Sequence, residues 1–523
     1  MSVSKNFYVI FSLFLLFIFS SGCSSLKDVK REGFSADSIK SLNDPRLTQL
    51  KDRSPYLKAH MKDGSLYVLQ NWKVDKSKQF LTGSGTLYDQ YRDSLCSGEF
   101  NLNVGSVALF ETNTLENSGA QTALTVFTGI TAAVTVYCVF NPKACFGSCP
   151  TFYIKDSDSL RLQAEGFSSS ISPSMEATDI DALYHAKTEC DEYSLEMRNE
   201  AMETHVIRSV NLLAVEKSKK NNRLFYGSDG KFWESDSIVS PSSAYAPEGD
   251  CTKLLASADD NERFSKSDSA YLGEKEIIEL DFNNVPRKNC GLVIGCRQTL
   301  LSTYLIYQAF AYMGSQAGYF LAEIERNKIG AEENVILNIL GGIEVQYLDS
   351  LGSWKTAGTI DEFGPLAIDF HIIPVNAALN KNAKIRLKMT KGYWRIDYTA
   401  LASISESKNI HRLKPAEVRK DGSIDEQARQ LLCDSARSLV TLPGDTYELK
   451  YQLPSVKDYE LFLESRGYYL EWIRNEWIKE EDHKKLAEMF LNPKAALRRL
   501  APEYKAVEPQ MENSFWRSRY AKP

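Results

Sequence analysis

Three features of the sequence predict a mainly β chain with helical additions, an α+β class overall. Apolar and polar residues alternate in short runs, most cleanly at Lys384-Ile385-Arg386-Leu387-Lys388-Met389-Thr390 and at Ile343-Glu344-Val345-Gln346-Tyr347, the period of a half-buried strand. Turn dipeptides punctuate these runs, at Asp63-Gly64, Asp229-Gly230 and Gly352-Ser353. Helical spacing is concentrated near the end, where Leu486, Met489 and Phe490 precede Asn492-Pro493, an N-cap followed by proline at the first helical position.

Composition sets outer bounds. The 523 residues are 43% hydrophobic and 25% charged, which is enough apolar material for several cores. A net charge of −6 without a long Lys/Arg cluster argues against general nucleic-acid binding. Of ten cysteines, nine follow Cys23; an odd number in an oxidising compartment leaves at least one thiol unpaired within the chain.

The first 23 residues pair Lys5 with an apolar run from Phe7 to Phe19, then Ser20-Ser21-Gly22-Cys23. The run is the length of a signal-peptide core and shorter than the roughly 20 apolar residues a spanning helix needs. The small residues before Cys23 resemble the bacterial lipobox, although Ser20 stands where that motif usually has Leu, Val or Ile. The resemblance implies lipidation of Cys23 and anchoring in a bilayer of the cell envelope, with the outer membrane, on its periplasmic or surface face, as the expected location. Residues 24–60 are polar and read as a tether. Residues 61–117 read as a small β-domain, barrel-like, which resembles the β-domains that open other bacterial lipoproteins.

Residues 117–142 carry no charge, and Thr122, Thr125, Thr128, Thr131 and Thr135 share one helical stripe. A hydrophobic helix over 118–142, buried or lying on a membrane surface, fits better than a span, which would return the following residues to the cytoplasm; the flanking charges favour the opposite reading. Cys145-Phe146-Gly147-Ser148-Cys149-Pro150 follows, and resembles a signature of bacterial envelope proteins of unassigned function. Gly147 and Pro150 let Cys145 and Cys149 approach within disulfide range. A structural staple accounts for them better than a redox pair, which usually has two intervening residues, or a zinc site, which needs four ligands. A β-rich middle domain is expected over 143–270, ending in a Ser/Asp-rich linker.

A β-sandwich is expected over 271–405. The strand order there and the closing Trp394-Arg395-Ile396-Asp397 resemble a galactose-binding-like, discoidin-type sandwich, and imply an envelope lipoprotein that binds a glycan or protein partner. Residues 406–523 add strands and helices. Glu279-Leu280-x-Phe282 with Leu292, Ile294, Arg297 and Leu301 recurs 169 residues later as Glu448-Leu449-x-Tyr451 with Leu461, Leu463, Arg466 and Leu470. The two copies are expected to pack in one unit.

Catalytic signals are weak. The six histidines lie in six contexts, and neither a G-x-S-x-G elbow nor a phosphate-binding glycine loop occurs. The expected function is therefore non-catalytic, without metal or cofactor. A structural assembly subunit and a hydrolase with dispersed carboxylates remain as alternatives. Trp354, read in a turn, is the one ligand-binding candidate; Trp394, inside a strand, belongs in the core. Arg297 and Arg466 read as structurally paired.

Overall fold

The computed structural model describes residues 29–35, 57–115 and 150–517, apart from short internal segments: 76, 78, 90–93, 157–158, 168–169, 171–175, 185, 187–190, 201–202, 287–288, 315–316, 318–338, 361–363, 376–378, 380, 456–457 and 472–480. The protein is mostly strand, in several sheets, with few helices. It divides into two compact units.

The N-terminal unit carries one antiparallel sheet of β1 (Val29–Ser35), β2 (Leu57–Met61), β3 (Leu66–Val74), β4 (Phe80–Tyr88), β5 (Ser94–Asn103) and β6 (Val107–Leu115), in the order β1-β6-β2-β3-β4-β5. Leu57, Leu69, Trp72, Leu81, Val107 and Phe110 form its core. At Gly85 a Cβ would lie 2.0 Å from the Val68 carbonyl oxygen, so only glycine admits the close approach of β3 and β4. Two expectations are corrected here. Residues 24–60 are not merely a tether, because β1 and β2 are ladder strands paired with β6. Among the described residues the sheet also does not close into a barrel, since β1 and β5 end it without pairing to each other.

The second unit holds four sheets. The chain first lays down β7 (Thr151–Asp156), β8 (Ser159–Glu165), β9 (Ala177–Ala182), β10 (Glu192–Arg198) and β11 (Glu203–Glu216). It then builds β12 (Arg223–Gly227), β13 (Phe232–Ser235), β14 (Ile238–Val239), β15 (Ser243–Ala246), β16 (Gly249–Asp250), the short helix α1 (Thr252–Leu255) and β17 (Arg263–Phe264). β18 (Lys275–Asn283), β19 (Cys290–Gln298), α2 (Leu301–Met313), β20 (Ile343–Leu348), β21 (Trp354–Ile360), β22 (Asp369–Val375), β23 (Asn382–Thr390), β24 (Trp394–Ser403) and β25 (Ser405–Ser407) follow. Last come β26 (Ile410–Leu413), β27 (Glu417–Lys420), β28 (Ser423–Ile424), α3 (Glu426–Cys433), β29 (Leu439–Thr441), β30 (Thr446–Gln452), β31 (Tyr459–Glu471), α4 (His483–Leu491) and α5 (Pro493–Arg517).

These strands make two sandwiches, one inserted in the other. In the first, sheet I (β28-β27-β30-β10-β7-β8) stacks on sheet II (β26-β11-β31-β9), and the Tyr451 hydroxyl of sheet I donates to the Val210 carbonyl of sheet II at 3.1 Å. In the second, sheet III (β14-β24-β19-β22-β12-β13-β25) stacks on sheet IV (β16-β15-β18-β23-β20-β21). Sheets II and III then pack face to face through Leu213, Val215, Phe462, Val293, Phe370 and Ala400 among others. Sequence follows burial: the outer strand β18 alternates exposed and buried residues, whereas β19 and most of β11 are buried on both faces and carry continuous apolar runs at Cys290–Cys296 and Leu212–Val215. The Glu216 amide donates to the Asn409 carbonyl at 3.0 Å, so the ends of the inserted sandwich meet where the chain leaves and re-enters the first.

The two sandwiches share one spatial strand order with circularly permuted connectivity, since β7–β11 precede β26–β31 in the first whereas their counterparts β20–β24 follow β14–β19 in the second. Sheet I matches sheet IV strand for strand, and sheet II matches β14-β24-β19-β22 of sheet III. Leu280 pairs with Ala244 and Ile385, and its counterpart Leu449 pairs with Val418 and Leu195. One bulge also recurs at a matched place, opposite Phe152/Tyr153 in the first sandwich and opposite Val345/Gln346 in the second, an extra residue that a ladder seldom acquires by chance at the same place; the bulges in the β11–β31 and β19–β24 ladders lie two residues apart. Val293 and Phe462, Ala400 and Leu213, and Ile372 and Ala182 are matched pairs, and all six lie in the shared core. The copies therefore meet through the same face of each, as subunits do across a two-fold axis.

This arrangement corrects four expectations. The repeat copies do not pack in one unit: β18 and β19 belong to the second sandwich, β30 and β31 to the first. A separate middle domain over 143–270 is absent, because β7, β9 and β11 pair with β10, β30 and β31 or lie beside them in sheets I and II. The supposed linker is folded into β14–β17, where the buried Arg263 guanidinium contacts Glu276 at 2.7 and 2.9 Å and Glu248 at 2.8 and 2.9 Å. The sandwich expected over 271–405 accordingly begins at β12. Helices α4 and α5 lie where helical spacing places them, and Asn492 caps the start of α5 through its side chain, which accepts from the Ala495 amide at 3.4 Å. No described helix is long and apolar enough to cross a membrane.

Candidate functional site

A cleft of about 410 Å3 opens between the two sandwiches. Leu160, Arg161, Leu162 and Gln163 of β8, the edge strand of sheet I, form one wall. Leu366, Ala367, Ile368 and Phe370, leading into β22, form the other, and Ala182, Tyr184, Asp260, Glu262 and Arg297 close the ends. Edge strands end in unpaired backbone and are re-aimed by bulges. Gln163 is the extra residue of the β8 bulge, which sets its nearly buried amide in the cleft wall.

Charge around the cleft is paired. Arg297 reaches Glu262 at 2.5 and 2.7 Å, the Pro365 carbonyl at 2.7 Å and Glu512 at 2.7 Å. Arg395 beside it contacts Glu512 at 2.8 Å and Glu262 at 3.5 Å. Although burial opposes its charge, these carboxylates raise the Arg297 pKa. At the opening Arg161 and Asp260 join the two sandwiches at 2.6 Å. The lining thus carries two guanidinium groups and two carboxylates.

The aromatic faces are covered. Phe370 stacks on Tyr184 with centroids 3.9 Å apart, and the Arg223 guanidinium lies 4.1 Å from the Tyr184 centroid. Burial raises the Tyr184 pKa, so the phenol stays neutral. Next to the cleft, Asp397 is the extra residue of the β24 bulge. Burial pushes its carboxyl up to about 7, with Asp260, Asp259 and Glu262 adding to the rise. The Asp259 amide donates to one oxygen at 3.3 Å; the other is buried with no hydrogen-bond partner. No protein-family model and no curated protein sequence matches the chain.

Trp354 is not part of the cleft. It opens β21, one residue past the turn expected to hold it, pairs with Leu348, and lies under the Arg386 guanidinium at 4.3 Å. By strand register it matches Leu160, which does line the cleft. Trp394 is fully buried, and Arg466 pairs with Glu176 at 2.8 Å as Arg297 pairs with Glu262. Histidines 205, 371 and 411 each meet a carboxylate, His205 and His371 one two residues earlier on the same strand face and His411 that of Glu216 across the ladder. Among these, burial would raise the Asp369 pKa, but His371 and the Ala182 and Phe370 amides hold it below the usual range. Among the described residues no group of three or more His, Cys, Asp or Glu is placed to hold a metal ion. Cys23, Cys145, Cys149 and the hydrophobic stretch 118–142 lie outside the described residues.

No local motif announces this cleft. Its walls come from five chain segments that only the interleaving of the sandwiches brings together. The one sequence signal near it was the Arg297/Arg466 match within the repeat.

Proposed function

We propose that the protein is a non-catalytic bacterial envelope lipoprotein, anchored in the outer membrane through lipidated Cys23, that binds a glycan or protein partner between its two sandwiches. The lipobox-like Ser20-Ser21-Gly22-Cys23 supports the anchor. The galactose-binding-like strand order supports a binding role for the sandwich, since that architecture commonly presents ligand sites on a rigid β scaffold. The observation that carries the reading is the 410 Å3 cleft, where the side chains of Leu160, Leu162, Ile368 and Phe370 stand beside the polar groups of Arg161, Gln163, Asp260, Glu262 and Arg297, a concave site that offers both apolar and polar contacts to a ligand.

Leu160 is 42% exposed at the cleft wall, so Leu160→Trp narrows the cleft at little cost to stability. Whichever ligand class the full-length protein binds, in peptidoglycan pull-down, on a glycan array or from a displayed peptide library, that binding should fall at least tenfold in this variant. Equal binding by both proteins would remove the cleft from the function. Cys23→Ala should leave an uncleaved or soluble form, and recovery of that variant in membranes at mature size would refute the anchor.

A further inference from the structure

We infer that the cleft receives an extended peptide segment of a partner protein, with an apolar side chain seated between Leu162 and Ile368 and a backbone amide bonded to Gln163. This rests on the cleft being the binding site proposed above, and it chooses between the two ligand classes left open there.

Three observations select a peptide. Sugar rings are commonly held by stacking on an open aromatic face, and the cleft's two aromatics offer none: Tyr184 lies between Phe370 and Arg223, and Phe370 is stacked on Tyr184. The charges lining the cleft are paired two and two, Arg297 with Glu262 and Arg161 with Asp260, which suits the neutral backbone of a peptide better than a polyanion. The Gln163 amide, 6% exposed, makes one 3.3 Å bond, to the neighbouring Leu162 carbonyl. That geometry is long for a hydrogen bond, and the group is a donor and acceptor pair of the kind that matches a peptide unit.

The duplication supplies an internal precedent for the occupant. β9 and β22 are matched strands. In the second sandwich the outer edge of β22 is covered by β12, an extended segment without counterpart in the first, running parallel with Tyr226 opposite His371 and Gly227 opposite Ile372. Among the described residues no strand pairs with the outer edge of β9; the Asp369 carboxylate takes the Ala182 amide there instead, at 2.9 Å, and the cleft lies beside it. The chain thus shows at one copy the kind of segment that fits beside the other. Strand-like peptides bind in this manner by backbone bonds for affinity and side-chain pockets for choice.

The test pans a phage-displayed random dodecapeptide library on the full-length protein, with the N-acetylglucosamine tetramer as a second probe. Peptides enriched on the wild type should share an apolar position and bind at least tenfold more weakly to Leu160→Trp and to Gln163→Ala. Gln163→Ala keeps the cleft open, so its loss reports the amide rather than the volume. Peptides that bind both variants as well as the wild type would overturn the inference. If no peptide is enriched while the tetramer binds and Leu160→Trp abolishes that binding, the binding role stands and the peptide assignment fails. If neither probe binds, both fall together.

Discussion

Trp394→Ala should lower the stability of the protein by about 3–5 kcal/mol, the range for deleting a large buried aromatic. The side chain is fully buried in β24, its backbone pairs with Gln298, and Tyr393 meets its ring edge-on at 5.5 Å. Little around it can collapse into the space, because β19 and β24 are held between two sheets. Trp354 makes the contrast. It is half-buried at the edge of sheet IV, and its recorded aromatic contact is the Arg386 guanidinium, so Trp354→Ala should cost about 1–2 kcal/mol. Urea denaturation of the two variants measures both. Equal losses would place Trp354 in the core and end its standing as a surface residue free to meet a ligand.

The second large effect depends on pH. In the unfolded chain an aspartate releases its proton near pH 4, whereas folded Asp397 holds its proton up to about 7. Between these values the folded protein binds more protons than the unfolded one. The contribution of Asp397 is therefore greatest below about pH 4, is lost progressively as pH rises to 7, and is level above that. Each unit of difference corresponds to about 1.4 kcal/mol, so the span amounts to a few kcal/mol. Asp397→Asn supplies a permanently neutral group of the same shape. Subtracting its melting curves from those of the wild type should show the variant gaining relative stability from pH 4 to 7 and keeping it at pH 8. No gain between pH 4 and 7, or a relative loss by the variant as pH rises towards 4, would mean that the carboxyl is ionised in the fold.

The β-rich class and the helices near the end were legible because their signals are local. Alternation in 384–390 and 343–347 is set by one wet face, and the Asn492-Pro493 start of α5 by a helix's own unpaired amides. The domain borders were not legible, because strand partners lie far apart: Ser194 pairs with Lys450, and Glu216 with Tyr459. A Ser/Asp-rich stretch such as 234–269 looks like a linker when its buried polar groups have no visible partners, and Arg263 finds Glu276 and Glu248 only in the fold. The repeat was legible as a spacing, but spacing cannot say whether two copies share a core or build two. Trp354 drew notice as an aromatic beside a turn, while its match Leu160, an unremarkable strand residue, lines the cleft.

That one sandwich interrupts the other can be tested in the intact chain by disulfide trapping. Ser194 and Lys450 face each other across β10 and β30, where Cβ atoms of directly opposed residues lie about 4.5–5.5 Å apart. Ser194→Cys with Lys450→Cys should form a disulfide on mild oxidation, detected as a linked peptide pair by mass spectrometry. Asp281→Cys with Lys450→Cys joins the two repeat copies, which occupy different sandwiches, and should stay unlinked. A link between 281 and 450 with none between 194 and 450 would contradict the interleaved fold, and with it the cleft that the fold creates.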